Sequence, residues 1–243
     1  MYREYPASAP LAPFVECFWR RDLVEDEDEP GIVLPDGRVD LVWIAGHEPL
    51  VAGPQTRFLE RPLAPPFVAV GARFHPSVGP PLLGIPAHEL IDRRVPLADI
   101  DTAAARALRR QLPGLAGPDD LETSAAVALA DWVARGGTPD PFVREATRLL
   151  DQADARVGWV ARTVGFSERE LLRRFRTSVG YGPKTLQRVL RFQRALAAMG
   201  RGREPHDDLA RIAAWAGYAD QAHMNREARE LSGLTPVQLA GSR

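Results

Sequence analysis

The sequence predicts an α+β N-terminal domain followed by an all-α C-terminal domain of two helix-turn-helix units joined by a long helix. Three observations predict it. The formal net charge of −1 over 243 residues hides a split. Residues 1–140 hold 13 Arg against 21 Asp or Glu, a balance of −8, and residues 141–243 hold 17 Arg and one Lys against 11 acids, a balance of +7. The β-type segments lie in the first half, and the second half reads as a series of short helices with an internal repeat. A chain of this length suits one large domain or two ordinary ones. Opposite charge on the halves favours two, the basic half facing a polyanion.

The first 30 residues carry prolines, an aromatic patch (Phe14, Phe18, Trp19) and the acid run Glu25-Asp26-Glu27-Asp28-Glu29, which reads as a solvated loop. Residues 31–34, Pro35-Asp36-Gly37 and residues 39–45 read as strand, turn, strand, because Pro-Asp-Gly supplies a fixed φ and then a residue tolerant of positive φ. Residues 67–74 form another β-rich run. Residues 97–112 and 121–134 are Ala/Leu-rich, the first with helical spacing at Ile100, Ala104, Ala107, Leu108 and Leu112. These two helices suit either dimerisation or cover for the sheet. Gly136-Gly137-Thr138-Pro139 breaks the pattern. The expected organisation is therefore a sensor or interaction domain over 1–135, a linker over 136–140 and a helical domain over 141–243.

Helix punctuation is dense in the second half. Asp140-Pro141 is an N-cap followed by proline at the first helical position. Ser167-Glu168-Arg169-Glu170 and Thr235-Pro236-Val237-Gln238 have the capping-box form. Gly182-Pro183 and Asp207-Asp208 mark further starts, and Gly165, Gly200 and Gly217 lie where helices should stop in a left-handed conformation. Helices are predicted near 141–152, 157–164, 168–178, 183–199, 208–216, 220–231 and 236–240, giving two units, 141–182 and 200–243, joined by the helix over 183–199.

Several classes are excluded or disfavoured. No apolar run approaches the roughly 18 residues of a membrane span. The first residues, Met1-Tyr2-Arg3-Glu4-Tyr5-Pro6, lack an apolar signal core, so a cytoplasmic protein is expected, nucleoid-associated when bound to DNA. One cysteine, Cys17, cannot form an intramolecular disulfide or a cysteine zinc cluster, and the five His show no i, i+4 pair, so no metal and no cofactor are expected. No Gly-x-Ser-x-Gly elbow, phosphate loop or His-Glu-x-x-His occurs, and no catalytic residue is assigned. Gly200-Arg201-Gly202 lacks the third glycine of a dinucleotide motif. Asp36 and Asp40 invite a paired-carboxylate reading, but a turn-forming Asp36 is simpler.

Within the helical half, residues 159–167 and 211–219 resemble each other. Each has a short apolar helix, a small residue (Ala161, Ala213) where helices must approach, a Gly-aromatic turn and a following helix, which is the helix-turn-helix plan. The second copy carries one extra residue after the turn, so Phe175 corresponds to Ala228 and Gly180 to Gly233. In the first following helix Leu171, Phe175 and Val179 form an inward stripe, and Arg169, Leu172, Arg173 and Arg176 the opposite one. In the second, Met224, Ala228 and Leu231 point inward, leaving Gln221, Asn225, Arg226 and Arg229 outward. The outward chemistry suits base edges: Arg pairs with guanine O6 and N7, Gln or Asn with adenine, and Leu172 meets a thymine methyl. The remaining arginines, the helix starts at Ser167 and Pro183, and Lys184 suit phosphates.

With these residues in hand, residues 141–243 resemble the C-terminal DNA-binding domain of AraC/XylS-type bacterial transcription regulators. The resemblance rests on the first Gly-Phe-Ser turn, Arg173-Arg174-Phe175, residues 179–183, and Arg191, Arg194, Ala195 and Leu196 of the linker helix. In the second unit it rests on Asp207, Leu209, Ile212 and Ala213, Ala216-Gly217-Tyr218, Asp220, Gln221 and His223, and Gly233-Leu234-Thr235-Pro236. It implies two recognition helices entering successive major-groove segments of double-stranded DNA, with Arg169, Leu172 and Arg173, then Gln221, Asn225 and Arg226, as base readers. Ser167, Arg176, Lys184, Arg191, His223 and Arg229 are the expected phosphate contacts. Two departures stand out. Ala228 replaces a usual aromatic, so the second core is expected to be smaller or filled by Trp215, and Glu227 is acidic close to the DNA face. Residues 1–135 more loosely resemble the N-terminal domain of an uncharacterised subgroup of the family, through Tyr5-Pro6, Leu11-Ala12-Pro13, Cys17-Phe18-Trp19, residues 34–37, Asp40-Leu41-Val42, residues 53–57 and Gly71-Ala72-Arg73-Phe74.

The expected function is a sequence-specific regulator controlled by a small-molecule effector or partner through the N-terminal domain, with RNA polymerase and a second copy of the chain as further partners. Trp19, Trp43, Phe58, Phe74 and His75 are the candidate lining of an effector pocket. The competing reading gives that domain chemistry of its own: an enzymatic activity, or alkyl transfer to Cys17 as some family relatives perform. A buried structural thiol is the simpler account of Cys17.

Overall fold

A computed structural model of the chain describes all residues except 24–29, 45, 63–66, 113–117, 136–137, 201–208 and 242–243. The acid run 25–29, Gly136-Gly137, Arg201-Gly202 and the helix start at Asp207-Asp208 lie outside the described residues. Strands β1 (Tyr2–Pro6), β2 (Val15–Leu23), β4 (Val39–Ile44), β5 (Leu50–Ala52), β7 (Phe67–Phe74) and β8 (Arg94–Pro96) form an antiparallel sheet in the order β1-β2-β7-β4-β5-β8. Strands β3 (Pro30–Val33) and β6 (Leu59–Pro62) pair separately.

Period-two alternation gives the large sheet two different faces. Phe18, Val39, Leu41, Val70, Ala72 and Phe74 enter a core closed by α1 (Gly79–Leu83), α2 (Ala103–Gln111) and α3 (Pro118–Ala134). Ala125, Ala128, Leu129 and Trp132 bring α3 onto the sheet, and Trp132 meets Phe14 edge-on at 6.1 Å. Of the two roles open to this helix, it covers the sheet. The opposite face carries Trp19, Asp40, Val42, Ala69 and Arg73, together with Gly71. A Cβ at Gly71 would lie 2.2 Å from the Trp19 ring, so only glycine lets the indole lie flat on β7.

Two expectations change here. The strands flanking Pro35-Asp36-Gly37 do not pair with each other, because β3 belongs to the small sheet and β4 to the large one. The turn itself forms: Gly37 has φ +81° and Asp36 Oδ1 accepts from Arg38 N at 2.9 Å. It packs against Tyr181 and Leu186 of the helical half, which draws the chain away from a hairpin. The predicted helix 97–112 is broken. Leu97–Asp99 is a short 3-10 turn, and α2 starts anew where Thr102 Oγ1 accepts from Ala105 N and donates to Leu83 O. Ile100, Leu108 and Leu112 are buried as expected, while Ala105 is buried and Ala104 and Ala107 are only half-buried.

Among the described residues seven helices follow: α4 (Pro141–Leu150), α5 (Val157–Thr163), α6 (Glu168–Ser178), α7 (Pro183–Met199), α8 (Leu209–Ala216), α9 (Gln221–Ser232) and α10 (Pro236–Gly241). Asp140 and Ser167 cap α4 and α6 as expected, and Asp220, placed by the sequence reading inside the helix 220–231, caps α9. The Thr235–Gln238 box closes in both directions, whereas Glu170 leaves its box to bind arginines. Gly165 and Gly217 adopt the left-handed stop (φ +82° and +89°), but Gly200 has φ −71° and does not. Leu171, Phe175 and Val179 fill the first helical core. Met224, Ala228 and Leu231 fill the second with Phe192, Met199 and Tyr218. Trp215 does not compensate for Ala228, since it is 55% exposed.

The two halves meet along α7 and the ends of α6 and α9. Gln193 Nε2 donates to Pro35 O at 2.6 Å, and Phe58 N donates to Leu231 O at 2.7 Å. Ile91 packs on the first helical core and Leu34 on the second.

Candidate nucleic-acid interface

The first outward stripe forms as a continuous surface. Ser167, Arg169, Leu172, Arg173 and Arg176 line one open depression of about 780 Å³ along α6, together with His88 and Ile91 of the N-terminal half. A helix built on Leu171, Phe175 and Val179 as its buried rail turns i+1 and i+5 positions to the other side, so this placement follows from the repeat. Arg173 is 72% exposed at its side chain, and Glu170 grips its guanidinium twice, at 2.7 and 3.0 Å. The hydrogen bonds from Arg173 and Arg174 hold the Glu170 carboxyl below its ordinary range. The pair orients the fork without burying it and leaves it open to exchange partners. Arg174 turns inward, bonding Asp140 at 2.6 Å and stacking over Phe166 at 4.4 Å. Lys184 sits exposed in the first turn of α7.

On α9, Gln221, Arg226 and Arg229 are exposed. Asn225 is half-buried, and its Oδ1 accepts no hydrogen bond. Two expected features are placed differently. Glu227 does not face outward. It is 6% exposed and accepts from Arg191 at 2.7 and 3.0 Å and from Arg188 at 3.0 Å, tying α9 to α7. Its acid therefore cancels linker-helix charge instead of repelling a polyanion. Arg191, expected at a phosphate, is the other half of that bracket, with its guanidinium 4.8 Å from the centroid of the Tyr218 ring. The sequence conceals this pairing because 36 residues separate the partners. His223 leans the same way, edge-on to Tyr218 at 5.2 Å, with Nε2 4.0 Å from Glu227.

The expected effector candidates scatter. Trp19 alone of the five lines a cavity on the open sheet face. Phe74 lies in the core, 2% exposed, and Trp43 packs against that same core. His75 is held by the Ala12 carbonyl at 3.0 Å. Phe58 lies against Gly233 at the end of α9 and serves the seam. Sequence reasoning did not place Gln55, Asp40 and Arg73 in this pocket, which they line with Trp19, although Asp40 was read with Asp36 as a possible carboxylate pair; for Asp40 and Arg73 the alternation of β4 and β7 was the available signal. Cys17 is buried and burial pushes its thiol up to about 12, which disfavours a thiolate nucleophile. Among the described residues no cluster of His, Cys, Asp or Glu is arranged to hold a metal ion, and no helix is long and apolar enough to cross a membrane.

Comparison with known proteins gives two family matches. Residues 144–241 match a family described as a helix-turn-helix domain, and residues 3–96 match a domain of unknown function (DUF6597). A search of curated proteins returns no match. Among solved structures, an AraC-type regulator from Chromobacterium violaceum is 23% identical, covering 42% of this chain and 90% of that one, with a TM-score of 0.39. The C-terminal domain of AraT from Geobacillus stearothermophilus is 22% identical over 43% and 87%, with a TM-score of 0.39. ToxT from Vibrio cholerae is 12% identical over 93% and 97%, with a TM-score of 0.48. The chain therefore carries a helix-turn-helix domain behind an N-terminal domain of unknown function.

Proposed function

We propose that this chain, with its C-terminal helix-turn-helix domain and its match to an AraC-type regulator, is a sequence-specific transcription regulator whose N-terminal half modulates DNA binding in response to a small molecule. The observation that carries the DNA-binding part is the pair of repeated helices, each with one buried rail and one outward polar rail, in a half with a balance of +7. In this reading Arg169, Leu172 and Arg173 on α6 and Gln221, Asn225 and Arg226 on α9 read bases. Ser167, Arg176, Lys184, Arg229 and His223 position the backbone. Arg191 is withdrawn from that set by its bond to Glu227. Modulation is supported by the seam, where residues of the sheet domain touch α7, the helix that joins the two units. A conformer preferred by a ligand then changes the DNA-bound population. RNA polymerase and a second copy of the chain are the partners such a regulator would engage.

The test is selection of bound sequences from a random duplex pool by the full chain. Enrichment of a two-part motif is the expected result, and an unenriched pool despite binding contradicts sequence specificity.

A further inference from the structure

The open face of the sheet encloses a cavity of about 450 Å³, within the range that holds small organic ligands. The sheet supplies Trp19, Asp40, Val42, Ala69 and Arg73, the small sheet adds Ile32, and α7 closes it with Gln193 and Leu196. The cavity therefore spans both halves of the chain. Around Arg73 the carboxylates outnumber the guanidinium. One guanidinium, Arg73, is shared by Glu4 at 3.2 Å and by Asp36 and Asp40, each at 3.4 Å. Asp40 takes its other bond from Trp19 Nε1 at 2.9 Å. Arg21 and Arg94 also line the cavity, and each already has a partner of its own. Independently of the carboxylates, Gln55 is 8% exposed on this wall and its Oε1 accepts no hydrogen bond. An unsatisfied buried acceptor is costly, and a donor on a ligand removes the cost. Beside these acceptors stand the tilted rings of Tyr2 and Trp19, 6.2 Å apart, whose faces attract a cation.

We propose that this cavity is the effector site, and that it takes a small organic cation, an amidinium, guanidinium or primary ammonium on an apolar body. The cation meets Asp36 and Asp40 and donates to Gln55. The apolar body lies against Ile32, Val42 and Leu196. An anion is disfavoured because each of the three guanidiniums lining the cavity already has a partner, Arg73 being divided among three carboxylates. Occupancy bears directly on Gln193, whose amide holds the Pro35 carbonyl, and so biases the seat of α7 on the sheet domain. This rests on the reading that the N-terminal half modulates DNA binding, and it adds the place and the ligand chemistry.

The test uses the full chain and three probes that share one ring: benzamidine, benzamide and benzoate, titrated calorimetrically at pH 7.5. Benzamidine is expected to bind saturably, the other two not to bind in the same range. Asp40→Asn should weaken benzamidine roughly tenfold, the scale of one lost charge-assisted bond. Gln55→Leu, which leaves the ion cluster intact, should weaken it several-fold and keeps the test readable if Asp40→Asn fails to fold. Benzoate binding tighter than benzamidine, unchanged affinity in Gln55→Leu, or no saturation by about 10 mM overturns the proposal. DNA affinity is then measured with and without saturating benzamidine, and a shift is expected. Unchanged DNA affinity with the cavity filled overturns the effector role. DNA titration without probe reads the regulator function separately, so failure of that reading is distinguishable from failure of the site.

Discussion

Arg173 illustrates how a single side chain divides between structure and recognition. Its bonds to Glu170 cost little to exchange because the pair is exposed and screened. Arg173→Ala should leave the melting temperature nearly unchanged and relax sequence preference at one base position by about 1–3 kcal/mol. Binding measured on single-base operator variants checks this, and equal weakening on every variant makes Arg173 a phosphate contact instead. Asp40 behaves in the opposite way. Burial first, and Asp36 second among the raising effects, lift its carboxyl to about 6, while Arg73 and Trp19 pull it down. Glu4 and Cys17 are further titratable neighbours, and Tyr2, Arg21 and Arg94 line the same cavity. A carboxyl raised on folding holds its proton more tightly in the folded state, so its contribution is most favourable below about pH 4 and falls away as pH rises towards about 6. Asp40→Asn should therefore gain stability relative to the parent chain between pH 4.5 and 7.5. Parallel urea midpoints at the two pH values read this, and a constant difference contradicts it.

At the scale of elements, the repeat makes the helical half predictable in energy as well as in form. Phe175→Ala opens a cavity in a fully buried site and should destabilise by about 3–5 kcal/mol. Trp215→Ala removes an exposed ring and should stay within about 0.5 kcal/mol. Equal losses in denaturant unfolding would contradict the placement of both. Helix limits were legible because caps, stop glycines and 3.6-residue spacing are local signals, and α6 and α7 fall where that spacing puts them. The break at Thr102 was equally local but masked by the Ala/Leu-rich run around it. Strand pairing was not legible. Residues 31–34 and 39–45 read as neighbours across a turn, yet they enter different sheets and the turn between them packs on Leu186. The Glu227 bracket and the Trp19 cavity have the same origin in contacts between residues far apart in sequence.

For the whole molecule, the two charge balances translate into distinct placements. The basic half spends part of its charge internally, on Glu227 and Asp151 among others, and keeps Arg169, Arg176, Arg226 and Arg229 outward. The acidic half is neither distant from the α6 face nor laid over it. It borders the face at one edge, through His88 and Ile91. The central claim is that this outward face binds duplex DNA through phosphates and base edges together. With Arg191 committed to Glu227, about three cationic phosphate contacts remain (Arg176, Lys184 and Arg229), and log K should fall with log salt at a slope of about −2.7. Fluorescence anisotropy of a labelled duplex titrated with the full chain across a salt series measures that slope. A steep, near-linear decline is the predicted result, and a flat salt response would contradict the account.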